Sequence, residues 1–335
     1  MDAIATPAPV LVGARAQGRK GLFGGVRSGP FGFPDSVYEK PFLSGNTPFL
    51  GPYVYVCDPA GVKRVLVDNV ANYPKTEMEQ RAFQALFGQG LLGTDGEHWR
   101  KHRRIMAPAF QPQAVESYAP AMAETSAAFI ERWRKSEGAI DMASEMSLLT
   151  LRIISKTMFS TEDPAILDLV GATMAKGLSF GDFNLLDILP ITGPARFRAR
   201  EKRVAEFFRP LDDVVFAMIK ERQEGKANAH DLLSRLIAAT DSETGAQLTP
   251  AEVRDEVITI YIAGHETTAV AMSWIWYVLS QHPNVVAQLE AELDSVLDGR
   301  TPTQDDVAKL VYTRRVADEA MRLYPPAPGI SMRQA

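Results

Sequence analysis

Cysteine is almost absent: Cys57 is the only one in 335 residues. That excludes an internal disulfide framework and any metal site built from several thiolates. It fits a reducing, cytoplasmic compartment. Cationic charge is in deficit, with 36 Lys and Arg against 41 Asp and Glu, a net charge of −5. Nothing in that balance asks for nucleic acid or an anionic membrane as partner. The first twenty residues carry an acid at position two and prolines in their short apolar run. They suit neither a signal peptide nor a membrane anchor. No fixed-period repeat is present, and no alternating strand–helix series, so a doubly wound fold is not expected.

What is there is ordinary for a soluble globular protein: 46% hydrophobic and 23% charged residues. A chain of this length can bury a substantial core. Residues 1–52 are rich in glycine and proline and predict an irregular N-terminal arm with short extended pieces. The main domain is expected over 53–335. Tyr53–Cys57 reads as a strand, Asp58-Pro59-Ala60-Gly61 as a turn, and Val62–Asn69 as a short helix. Residues 78–96 read as an apolar, glycine-broken loop that folds over something. Helices are predicted over 113–136, 144–159, 164–180, 200–224, 230–240, 249–282, 284–297 and 311–323, the last stopped by Pro325-Pro326. The expected class is mainly α with a small β region.

The longest of these helices organises the rest. Thr249 can cap it, Pro250 suits its first position, and Glu252 completes a capping box. At ~1.5 Å per residue it runs on the order of 45–50 Å. Its centre, Ala263-Gly264-His265-Glu266-Thr267-Thr268, breaks an otherwise apolar pattern. Gly264 removes a side chain and lets a flat group approach the backbone. Ala263 and Thr267 share a face, and the Thr267 hydroxyl can bond back to the Ala263 carbonyl. Three readings compete here: a transmembrane span, a plain core helix with a polar kink, and a functional groove beside an acid and a hydroxyl. The central Glu266 weighs against the span.

Three further constellations carry chemistry. Trp99 and Arg103, four apart on a basic helix, aim an indole N–H and a guanidinium the same way and suit one carboxylate. They precede the corner Ala107-Pro108-Ala109-Phe110. Glu319 and Arg322, three apart on the last helix, can form a charge-assisted pair. The same spacing recurs at Glu97/Arg100, Glu131/Arg134 and Glu206/Arg209, so alone it says little. Arg333 follows the Pro-Pro turn.

Taken in order, these elements resemble the cytochrome P450 family of heme-thiolate monooxygenases, from about Tyr53 to the end. The resemblance implies a b-type heme, with Trp99, Arg103 and Arg333 at its propionates and Ala263 and Gly264 beside its plane. It implies that Thr267 hydrogen-bonds the oxygen under reduction, that Glu266 relays protons, and that Glu319 and Arg322 are structural. Leu91, Leu92, Ala327 and Pro328 would line an apolar substrate pocket, with Phe180 and Phe183 as more distant lid residues. The implied reaction inserts one atom of O2 into a lipophilic substrate, such as a fatty acid or terpenoid. Electrons would come from NAD(P)H through a ferredoxin or flavodoxin-type partner, which Arg100, Lys101 and Arg104 could dock. A soluble monomer without a membrane span is expected.

The chain stops thirteen residues after Arg322, before the family's iron-ligating cysteine loop, so it reads as truncated at its C-terminus. Cys57 reads as a small buried residue of an early strand. No histidine stands at a family ligand position, so no metal ligand is assigned. A truncated chain should leave one side of the long helix uncovered. The alternatives are a non-catalytic fragment or pseudoenzyme and, more remotely, a helical membrane protein.

Overall fold

A computed structural model describes residues 39–47, 51–177, 193–226, 230–327 and 332–335. The chain divides into two compact units that meet in sequence at Tyr73 and Pro74. In the first, β1 (Phe42–Thr47) and β2 (Gly51–Val56) form an antiparallel hairpin, with Phe42 opposite Val56 and Thr47 opposite Gly51. The short extended pieces thus begin inside the predicted arm. Asp58 caps α1 (Pro59–Lys63) by accepting the Gly61 N–H at 2.7 Å. The predicted helix at 62–69 is instead α1 followed by one wide turn, Arg64–Asp68, and a tight one, Val70–Asn72.

Cys57 corrects the expectation of burial, because it is exposed. It lies one residue past β2. Its backbone N–H closes the hairpin onto the Pro41 carbonyl at 2.8 Å, so main chain rather than packing holds it.

The second unit is helical. It contains α2 (Glu77–Phe87), α3 (Gly96–Met106), α4 (Pro112–Glu116), α5 (Ala119–Arg134), α6 (Met142–Phe159), α7 (Pro164–Gly177), α8 (Gly193–Gln223), α9 (Leu232–Ala238), α10 (Pro250–Ser280), α11 (Pro283–Leu297), α12 (Gln304–Val307) and α13 (Val311–Leu323). Helix α2 corrects the reading of 78–96 as loop. Thr76 caps it by accepting the Glu79 N–H, and the left-handed Gly88 ends it at φ 60°. Only Gly88–Asp95 is loop.

The long helix forms as its start signals require. The Thr249/Glu252 capping box is closed on both sides and Pro250 opens the helix. Helix α10 packs along α6 and meets α2, α8, α9, α11 and α13. The core gathers Val253, Val257, Ile258, Tyr261 and Ile262 of α10 with Met158 and Phe159 of α6, Phe208 and Val215 of α8, and Ile105 and Met106 of α3. Phe159 and Tyr261 stack at 5.7 Å. Burial raises the Tyr261 phenol pKa well above its ordinary value, although its bond to Ser155 works against that rise. Among the described residues no helix is long and apolar enough to cross a membrane. Glu252, Arg254, Asp255 and Glu256 crowd the first half of α10 and remove it as a span.

Candidate functional site

The centre of α10 divides between two faces. Thr267 Oγ1 donates to the Ala263 carbonyl at 2.6 Å, the intrahelical bond that the spacing suggests. Ala263, Thr267 and Thr268 are exposed in a helix whose first half is largely buried. His265 turns the other way, into α6, where its Nε2 donates to the Ser147 carbonyl at 3.1 Å. Burial lowers the His265 pKa, against the Ser147 carbonyl and Glu266, which pull it up. Glu266 is half-exposed and lies 4.0 Å from His265 Nδ1.

Gly264 belongs to the α6 side. A Cβ added there meets Ile154 Cδ1 at 3.2 Å. The space freed by the missing side chain is therefore filled by Ile154, and Gly264 can serve a ligand on the open face only through its backbone.

Helix α3 begins at Asp95, which caps the Gly96 N–H at 2.8 Å. Trp99 is half-buried and Arg103 exposed, one turn apart. Among the described residues neither side chain has a hydrogen-bond or ion-pair partner. Their neighbours are engaged. Arg100 pairs with Glu97, Lys101 lies 3.8 Å from Glu252, and Arg104 grips buried Asp241 at 2.8 and 3.2 Å. The bond to Arg104 leads the causes that hold the Asp241 carboxyl well below its usual range. Arg104 is thus a structural anchor, not a free docking charge.

Arg333 is brought to the start of α3 through one residue. Lys75 pairs with Arg333 in an antiparallel bridge, and its backbone N–H donates to Asp95 at 2.6 Å. Thr76 N–H to Met332 O (3.1 Å) and Gln334 N–H to Pro74 O (2.9 Å) flank the bridge. The Lys75 ammonium donates to the Leu91 and Leu92 carbonyls at 2.8 and 3.1 Å. Burial, and next the Arg333 charge, lower the Lys75 pKa. Leu91 and Leu92 pack against the main core. The structure thus joins Arg333, Leu91 and Leu92 through a lysine that sequence reasoning did not single out.

It also brings His102 to two carboxylates that lie some 150 positions away in the sequence. His102, with no exposed surface, donates from Nδ1 to Glu256 Oε1 at 2.7 Å, and its Nε2 stands 3.2 Å from Glu252 Oε1. Leu91 N–H donates to the other Glu256 oxygen at 3.2 Å. Burial works against charge on His102, but Glu256 and then Glu252 outweigh it and raise the pKa. Burial likewise pushes Glu252 up, but the Thr249 cap, His102 and Lys101 bring it down to about 2. The one available signal was a histidine amid the cations of α3.

The remaining expectations scatter. Glu319 and Arg322 form a two-pronged pair, both bonds 2.7 Å, with each side chain more than half exposed. Ala327 is exposed. Pro328, Phe180 and Phe183 lie outside the described residues. A cleft of about 440 Å³ opens between α2, α8 and α10, lined by Leu86, Phe208, Asp212 and Arg254 among others. Neither it nor the smaller cleft beside Glu266 is lined by Ala263, Thr267, Leu91 or Leu92.

A model of the family described as Cytochrome P450 matches residues 49–335. The chain belongs to the cytochrome P450 family. Relatives of this P450 include cyclooctat-9-en-7-ol 5-monooxygenase of Streptomyces melanosporofaciens, 34% identical over 279 residues, which cover 81% of this chain and 58% of the relative. Pentalenene oxygenase of Streptomyces avermitilis is 34% identical over 275 residues, covering 81% and 60%. Among solved structures, the cytochrome P450DA heme domain superposes with a TM-score of 0.70 at 27% identity, covering 85% of this chain and 62% of that one. The chain therefore spans less than two thirds of the length of these relatives.

Proposed function

We propose that this P450 acts in a heme-dependent monooxygenation that places one atom of O2 in a lipophilic substrate of the terpenoid class. The residues fit the cofactor on two counts. A propionate-bearing ring needs donors that are not already spent, and among the described residues Trp99 Nε1 and the Arg103 guanidinium have no partner, one turn apart on the same face. It also needs a strip of helix with little side chain, and Ala263 is small and exposed in the middle of α10. Arg333, tied to the start of α3 through Lys75, is the third donor in this reading.

The heme, when bound, supplies the activation of dioxygen. The chain's own residues hold and orient. Trp99, Arg103 and Arg333 carry the propionates. Thr267 offers a hydroxyl on the open face beside Ala263, and half-exposed Glu266 passes protons from solvent toward it. Leu91 and Leu92 present apolar surface to the substrate. Electrons come from NAD(P)H through a separate redox protein. With Arg104 held by Asp241, that partner meets Arg100 and Lys101 at most. The names of two relatives, an oxygenase of pentalenene and a monooxygenase of cyclooctat-9-en-7-ol, support the substrate class.

The observation that carries the reading is the unpartnered Trp99/Arg103 pair. Its test is hemin titration of the purified chain, followed by Soret absorbance. One-to-one binding that weakens at least tenfold in Arg103→Ala and in Trp99→Phe is expected. Equal binding in the variants removes the propionate assignment, and no specific binding favours a non-catalytic role. Where turnover is reconstituted, Thr267→Ala should lower product formed per reductant consumed.

A further inference from the structure

We propose that His98, His102 and Glu252 form a binding site for a divalent transition metal of the zinc class. His98 and His102 lie one turn apart on α3, so both rings face the first turn of α10 from one side. Their rings are 4.1 Å apart. One nitrogen of each ring and one Glu252 oxygen all lie within 4.8 Å of one another. Zinc bonds of ~2.0–2.1 Å in a tetrahedron put neighbouring ligand atoms about 3.3 Å apart. His102 Nε2 and Glu252 Oε1 already stand at 3.2 Å. Bringing in His98 requires at most roughly 1.5 Å of side-chain movement, away from a 3.2 Å contact with the Gln89 carbonyl.

The outer contacts are those that a metal site needs. Histidine ligands are oriented by a carboxylate on the opposite ring nitrogen, and Glu256 accepts from His102 Nδ1 at 2.7 Å while itself fully buried. That bond orients the ring and turns Nε2 to Glu252, so a metal entering there takes the place of the Nε2 proton. Glu252 is fixed as well: its Oε2 accepts the Thr249 N–H at 2.7 Å in the helix cap, so only Oε1 faces the histidines. Two imidazoles and one carboxylate suit zinc, copper or nickel and not magnesium or calcium. Three protein ligands leave a fourth position for water. Lys101, 3.8 Å from Glu252 Oε1, is a cation beside the site whose partly exposed side chain can swing to solvent. A bound ion would link α3, which carries Trp99 and Arg103, to the start of the long helix.

The test is calorimetric titration of Zn2+ into the purified chain without hemin, so its outcome is independent of the heme reading. One equivalent should bind, and thermal stability should rise with Zn2+ but not with Mg2+. His98→Ala, at a half-buried position outside the core, should weaken binding at least tenfold. Glu256→Gln, which removes the carboxylate charge behind His102 and keeps an acceptor for the Leu91 N–H, should weaken it by about 10- to 100-fold. His282→Ala, on α11's cap, should change nothing. Substituted Co2+ should show the intense visible bands of a four-coordinate site. No one-equivalent binding, or binding of equal strength in His98→Ala, overturns the assignment.

Discussion

The two halves of α10 are buried in the opposite order from their hydropathy. Pro250–His265 carries Glu252, Arg254, Asp255 and Glu256, yet holds eight of the helix's buried residues. Glu266–Ser280 has Glu266 as its one charge and holds two, Ala269 and Leu279. Neighbours decide this, not composition. The first half is surrounded by helices that offer apolar faces and matched partners, so even buried Glu256 has both oxygens satisfied: they receive His102 and the Leu91 N–H. The second half is covered in part by rings. Trp274 stacks on Tyr324 at 4.3 Å and 10°, and Tyr277 meets Trp274 edge-on, while Trp276 is 42% exposed.

The largest break in this contrast should come from Glu256→Ala. It leaves buried His102 without its closest acceptor and should cost about 3–5 kcal/mol in denaturant unfolding. Ile258→Ala, in the same half, should cost about 2–5 kcal/mol through the cavity it leaves. Its counterpart in the second half, Trp276→Ala, should stay within about 0.5 kcal/mol. Equal losses at positions 258 and 276 would falsify the contrast.

A pH series sharpens the boundary between the halves, at His265. Its folded pKa lies below the ordinary value, about 6.5, so the unfolded chain takes up the proton first as pH falls. The stability it contributes is present above about 6.5 and is lost as pH drops toward the folded pKa. His265→Gln keeps a donor for the Ser147 carbonyl and cannot titrate. Its melting temperature should therefore fall less steeply between about pH 6.5 and 5 than that of the parent. Parallel slopes would remove His265 from the account.

The smallest effect is expected at Gly264. Alanine gains about 1 kcal/mol of helix propensity and pushes on Ile154 Cδ1, the free end of a side chain that can turn away. The two should nearly cancel, within about 0.5 kcal/mol. Hemin affinity should not change, because the new methyl points at α6. A tenfold loss of hemin affinity would return Gly264 to the open face.

Sequence signals of short range were legible. Thr249, Pro250 and Glu252 announce the start of α10, Pro325-Pro326 announces the end of α13, and the Thr267–Ala263 bond follows from a spacing of four. The Trp99/Arg103 face is also local. What failed was convergence across the chain. His102 looked like one more member of a basic stretch, because its carboxylates arrive from 150 residues away. Lys75 is unremarkable until Arg333 pairs beside it. Helix α2 was masked by the glycines that follow it, although Thr76 and Gly88 bound it. Cys57 reads as the buried last residue of a strand, whereas it is exposed one position past the strand's end.

The bond from Thr267 to Ala263 has a polarity. A hydroxyl owns a single proton, and here the carbonyl one turn back already holds it. Toward the open face Thr267 therefore offers lone pairs. Whatever settles there must arrive carrying a hydrogen to give, or else must wait for the side chain to let go of its own helix. A partner with only acceptors meets electron density against electron density. A threonine so placed would act as a one-way fitting, selecting by which side brings the proton before shape or size is consulted.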